Sequence, residues 1–232
     1  MVDMTSEMAQ LWGALGAAPG SPRIIQFVAA RAGEGTSTVA REFAKFASGR
    51  ARRGVWLIDL DLMRSSQHLA IAAEPDRYGP LGQQAAASPN GSTFFTLQPP
   101  ARGPDGKPWP DARYLVAHPV GGPQLWVSRF RREAMQPGQH VHILPTADYW
   151  AALRRYADLV VVDAPSIDRS SAALTVAPFM DYSVLVVAAD EGSTAAPAAL
   201  KASILASGGR VAGLFFNRGR VETPEFLKAV LP

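Results

Sequence analysis

Five apolar runs, separated by segments of helical length, constrain this 232-residue chain more than any other feature. They are RIIQFVAA (23–30), GVWLIDLD (54–61), ADLVVVDAP (157–165), YSVLVVAAD (182–190) and RVAGLFFNR (210–218). Each is too short for a helix of average length and too continuously apolar for a strand with one wet face, so each reads as a strand buried on both sides. Helices are expected at 37–49, 147–156, about 195–207 and, shorter, 224–230. A further helix is expected at 4–17, with Met8, Leu11, Trp12 and Leu15 on one stripe and Thr5 or Ser6 as its cap. Strand and helix in alternation predict an α/β fold: a doubly wound, mostly parallel sheet with helices on both faces.

Residues 75–125 break the rhythm. EPDRYGPLG, SPNGS, QPPARGPDGKPWP and HPVGGPQ are rich in Pro and Gly, and read as an irregular insertion within a single domain spanning 1–232, with short strands near ARYLVAH and QLWVSRF. Trp109 in this segment either offers a partner surface or folds back onto the body.

The stretch ARAGEGTSTVA (30–40) joins the first strand to its helix. A phosphate-binding P-loop reads G-x-x-x-x-G-K-[ST] at this place. Here Ala30 stands at the first glycine and Thr36 at the lysine. Gly33 and Gly35 still permit a tight curl, and the backbone N–H groups at the helix start can bind an anion without a basic side chain. Ser37 holds the hydroxyl position that ligates Mg²⁺ in such loops. Two strand ends add acids: Asp59 and Asp61 in VWLIDLDL, and Asp163 in LVVVDAP. Asp59 and Asp61, two apart on an extended chain, are expected to point to one side. Ligands of open α/β sheets sit beyond the carboxyl ends of the strands, where such acids can hold Mg²⁺ through water or orient a nucleophile.

The order GEGTST, LIDLDLMR, DLVVVDAP, VLVVAADEGST, VAGLFFNR resembles the deviant-Walker P-loop proteins of the MinD/ParA type, and within them the bacterial tyrosine kinase branch tied to capsule and exopolysaccharide production. The resemblance covers roughly residues 5–72 and 143–220. It implies a P-loop NTPase fold, an ATP or ADP site with Mg²⁺, and a cytoplasmic protein at the inner membrane whose partner is a membrane polysaccharide co-polymerase or a glycosyltransferase complex, with a homodimer as a further option. It implies that Gly33, Glu34, Gly35, Thr36, Ser37 and Thr38 form the nucleotide loop. Ser37, Asp59 and Asp163 would meet the metal. Asp59 and Asp61 would be the catalytic acids of the second motif, Asn217 would contact the base, and Arg64 approximates the Arg that follows that second motif.

The departures are as informative. Thr36 replaces the lysine, Glu7 is followed by Gln10 and Gly13 where the kinases carry an E-x-x-R-x-x-R assembly motif, and the last tyrosine is Tyr182, so no C-terminal tyrosine cluster is present. A charge-assisted hydrogen bond contributes about 1.5–3 kcal/mol, so losing the lysine weakens phosphate binding by roughly ten- to a hundredfold. Arg31 sits where the partition and division-site ATPases carry a signature lysine that reaches across a dimer. The leading expectation is a disarmed kinase-like protein acting as a regulatory or scaffolding subunit. Three alternatives stand beside it: an ATPase using Arg31 in trans, a kinase acting on another protein's tyrosines, and a simple anion-binding module.

The remaining composition excludes more than it assigns. There are no cysteines, hence no disulfides, thiol catalysis or thiolate metal sites. No apolar run approaches membrane-spanning length, and MVDMTSEMAQ carries no basic region, so no signal peptide is expected. Net charge is only +3, gathered in GRARRG, RFRRE, Arg154–Arg155 and NRGR. Without a helix-turn-helix or zinc pattern, sequence-specific nucleic-acid binding is not expected. His140 and His142 would share a strand face, either a metal pair or, more simply, a solvated edge.

Overall fold

The computed structural model describes residues 4–15, 21–103, 106–189 and 194–219; the helix expected at 224–230 lies outside them. The strands are β1 (Arg23–Val28), β2 (Val55–Asp59), β3 (Ala85–Ala86), β4 (Phe95–Gln98), β5 (Leu115–Pro119), β6 (Leu125–Phe130), β7 (His140–Ile143), β8 (Leu159–Asp163), β9 (Tyr182–Ala188) and β10 (Val211–Asn217). The helices are α1 (Thr5–Ala14), α2 (Thr36–Ser48), α3 (Ser66–Ala73), α4 (Pro75–Tyr78), α5 (Asp148–Tyr156), α6 (Ala172–Val176) and α7 (Ala195–Ala206). All five apolar runs form strands of one eight-stranded sheet, in the order β10-β9-β1-β8-β2-β6-β5-β3, and the pairs from β10 to β6 are parallel. The doubly wound α/β expectation is met.

The period-2 geometry of the strands divides the core in two. Ile25, Phe27, Leu57, Val161 and Val184 face α1 and α2, where Phe43 packs on Phe27 at 5.4 Å between ring centroids. Ile24, Val28, Ile58, Val160 and Val162 face α5, α6 and α7 with Trp150, Leu153, Leu200 and Ile204. Burying each large side chain contributes about 1.5–3 kcal/mol, and two faces covered this way require continuously apolar strands.

Within residues 75–125 the chain is more ordered than its Pro and Gly content suggests. β6 adds parallel to β2, β5 pairs antiparallel with β6, and β3 with β5, so this stretch and its continuation carry the sheet outward. β4 pairs instead with β7 in a separate ribbon. Trp109 folds back: it packs edge-on to Tyr114 at 6.3 Å. His140 and His142 are both exposed on β7, a solvated edge.

α1 begins at Thr5, with Met4 rather than Thr5 or Ser6 at its N-cap. Within the basic clusters, Arg53 pairs with Asp158 at 2.8 Å and Arg154 with Asp181 at 2.7 Å.

Candidate functional site

The carboxyl ends of β1, β2 and β8 converge. Asp59 and Asp163 are direct register partners on adjacent parallel strands, and both are buried. Loss of hydration raises both carboxyls, Asp59 to about 6 and Asp163 to about 7, and the charge of Asp59 adds to the rise at Asp163. Burial therefore disfavours ionisation of both carboxyls at once. The Ser37 hydroxyl faces Asp163 and opposes the rise, but it falls short of full hydrogen-bond geometry, and Asp163 Oδ1 is buried with no hydrogen-bond partner.

The expectation that Asp59 and Asp61 extend to one side is corrected. β2 ends at Asp59 and the chain turns, because the Asp61 N–H donates back to Asp59 Oδ1 at 2.9 Å. The two acids then part. Asp59 turns inward, and Asp61 turns outward to accept from the Arg169 guanidinium at 2.6 Å, with Arg64 at 3.9 Å.

Gln67, on α3, joins the buried acids and escaped the sequence reading altogether. It is fully buried. Its Nε2 donates to Asp163 Oδ2 at 2.6 Å and to the Ser37 carbonyl at 2.8 Å, and its backbone N–H donates to Asp59 Oδ2 at 3.0 Å. Its Oε1 accepts from Arg41 Nη1 at 3.0 Å. Arg41 is itself buried, its Nε donating to the Tyr78 hydroxyl, and it is the nearby positive charge that lowers Asp163. Of these, Arg41 had a readable signal: it lies one helical turn beyond Ser37, on the same face of α2.

The loop itself curls as its glycines permit. Gly33 and Gly35 take φ of +93° and +87°. Gly35 has a second reason to be glycine, since a Cβ there would stand 2.0 Å from Asn217 Nδ2. That amide donates to the Glu34 carbonyl at 2.9 Å, and the Arg218 guanidinium donates to the Gly33 carbonyl. Thus Asn217 pins the loop. Glu34 is buried and turned inward: it accepts from the Arg31 N–H at 2.9 Å and the Ala188 N–H at 3.4 Å. Asp168 accepts from the Ala32 N–H at 3.1 Å. Thr36 is buried. At the N-terminus of α2 the Thr38 and Val39 N–H groups already donate to the Gly35 carbonyl, which leaves the Thr36 and Ser37 amides without intrahelical partners.

Over this loop lies a cavity of about 200 Å³, walled by Arg31, Gly33, Thr36, Ser37, Pro165 and Arg169 among others. Whole small-molecule pockets run to roughly 300–1,000 Å³, so this volume suits phosphate groups with the rest of a nucleotide outside. The oxygen set suits Mg²⁺ as well. Asp163 Oδ1 is unspent, Asp59 lies beside it, and a divalent cation would relieve the repulsion that burial imposes on the pair. Among the described residues no group of three or more His, Cys, Asp or Glu could hold a metal, so remaining ligands would be the Ser37 hydroxyl, water and phosphate oxygens.

No protein-family model matches the chain, and no curated protein matches it. Solved structures do. The chimerical protein CapA2B2 is similar at a TM-score of 0.59 and 16% identity, over 91% of this chain and 83% of that one. The kinase domain of the Escherichia coli tyrosine kinase ETK is similar at 0.57 and 14%, over 94% and 78%. The VpsO kinase domain is similar at 0.53 and 18%, over 94% and 100%. At such identities the likeness establishes architecture, and it agrees with the motif order: the chain has the P-loop NTPase fold of the bacterial tyrosine kinase domains.

Proposed function

We propose that this chain is a catalytically degenerate protein of the bacterial tyrosine kinase type, serving as a regulatory or scaffolding component of exopolysaccharide synthesis and export. The observation that carries the reading is Thr36. A buried, uncharged side chain occupies the lysine position of a loop that otherwise keeps its curl and its strand-end acids. Asp61, one of the two acids of the second motif, is paired with Arg169. Such a site binds ATP or ADP with Mg²⁺ weakly, as a structural or sensing ligand. The partner in this reading is a membrane polysaccharide co-polymerase or a glycosyltransferase complex at the cytoplasmic face. Among the described residues no helix is long and apolar enough to cross a membrane.

The test is a titration of ADP and ATP with Mg²⁺ into the wild type beside Thr36→Lys. The expected result is weak binding without turnover in the wild type and binding roughly ten- to a hundredfold tighter in the variant. Micromolar affinity with steady ATP turnover, or labelled phosphate transferred to tyrosines of a partner, would sink the proposal. A second reading, an ATPase that draws its charge from Arg31 in a dimer, is favoured by the exposure of Arg31 at the cavity wall. It requires ATP-dependent dimerisation and turnover lost in Arg31→Ala.

A further inference from the structure

Two cations wall the cavity over the loop, and one of them comes from a distant part of the chain. Arg169 sits in the turn after β8, its backbone N–H bonded to the Ser166 carbonyl at 3.0 Å. Its side chain faces two ways. It lines the loop cavity with Thr36 and Ser37, and it lines an adjoining cavity with Asp61 and Leu62. At present its Nη2 donates to Asp61 Oδ2 at 2.6 Å. That pair is partly open to solvent, with side chains 35% and 19% exposed, and an ion pair of this kind is a weak tether.

We infer that Arg169 supplies the phosphate-binding charge that Thr36 does not, and that Asp61 holds this guanidinium in reserve until a nucleoside di- or triphosphate with Mg²⁺ enters. The inference rests on the proposed reading of the loop as a nucleotide site and adds the residue that would complete it. Two independent features of the cavity point to a ligand carrying both signs of charge. The Thr36 and Ser37 amides at the start of α2, both residues of the cavity wall, lack intrahelical partners and call for an anion. The unspent Asp163 Oδ1, buried behind the cavity wall that Ser37 and Ala164 form, calls for a cation. A Mg²⁺–phosphate satisfies both. A guanidinium is suited to the exchange because its planar fork grips carboxylate and phosphate alike, and it stays charged at any physiological pH. Arg169 comes from the turn after β8 and the loop amides from the start of α2, so a phosphate in the cavity would be met by two elements. Asp168, next in the chain, stays on the Ala32 N–H at the rim and leaves Arg169 to move alone.

The test is a fluorescence titration of the full chain with a fluorescent ADP analogue and Mg²⁺. Arg169→Ala is expected to weaken binding about tenfold or more, with Arg169→Lys between it and the wild type. Asp61→Asn is the discriminating variant: releasing the tether should tighten binding about two- to fivefold, whereas loss of a ligand-contacting acid would weaken it. Thermal melts monitored by circular dichroism show that each variant is folded. Unchanged affinity in Arg169→Ala, or weakened affinity in Asp61→Asn, overturns the role of Arg169 while the nucleotide site stands. Binding by Thr36→Lys but not by the wild type overturns it too, because the charge is then missing. Absence of binding in both overturns the inference together with the site.

Discussion

Gln67 on α3 donates its carboxamide to Asp163 at 2.6 Å and to the Ser37 carbonyl at 2.8 Å, and so ties the end of β8 to α2 and α3. The same side chain accepts from Arg41, and its backbone N–H holds Asp59. The acids at the strand ends are therefore positioned by a neutral residue that neither strand supplies.

Replacing Gln67 with Leu keeps the volume and removes every side-chain bond. Asp163 Oδ2, the Ser37 carbonyl and Arg41 would each lose a partner inside the protein. We expect a loss of about 2–3 kcal/mol, read from the urea midpoint. Gln67→Glu should be worse at pH 8 than at pH 6, since it adds a third carboxylate to the pair.

Stability should depend on pH through the same acids. The folded-state pKa of Asp163 is raised to about 7, above its ordinary value of 3.8. The folded state therefore binds more protons between those limits, and this contribution to stability is full below pH 4 and is lost as pH rises through 7. The apo protein should gain melting temperature when taken from pH 8 to pH 6. Asp163→Asn should flatten that profile and stabilise at pH 8 by about 1 kcal/mol, roughly 2–4 °C for a chain of this size. Mg²⁺ should narrow the difference only in the wild type.

The two loop glycines should differ. At Gly33 a Cβ meets open space, so Gly33→Ala bears only the strain of its positive φ, about 1 kcal/mol. At Gly35 the same substitution also strikes Asn217, and should cost about 2 kcal/mol or more. Adding Asn217→Ala to Gly35→Ala should recover part of the loss, never all, because the strain of φ remains. Chemical denaturation of the four proteins checks the order.

Glu34 should behave as a structural residue. Its carboxylate oxygens accept from the Arg31 and Ala188 amides, so Glu34→Ala should cost about 1–3 kcal/mol in a chain with or without nucleotide present. An effect confined to nucleotide binding, with stability intact, would return Glu34 to the role of a ligand contact.

What the sequence determined by itself is the sheet and the place of the loop. Runs such as LVVVD and YSVLVVA can only be strands covered on both faces, and Gly33 and Gly35 between β1 and α2 specify the curl locally, through backbone sterics that need no distant partner. Asp59 and Asp163 were legible at strand ends for the same reason. Tertiary structure decided what those residues touch. Asp61 left the strand because a turn, closed by its own N–H on Asp59, is invisible in an apolar-polar pattern. Asn217 and Glu34 became loop staples through contacts 183 and 154 residues apart in the chain. Gln67 and Arg169, one on a short weakly amphipathic helix and one in a turn, carry no periodic or motif signal, and their importance arises only when β2, β8 and α2 bring 30 to 108 residues of separation down to a hydrogen bond. Local sequence sets which conformations a segment can adopt; which charges meet across the fold depends on chain crossings that no segment encodes alone.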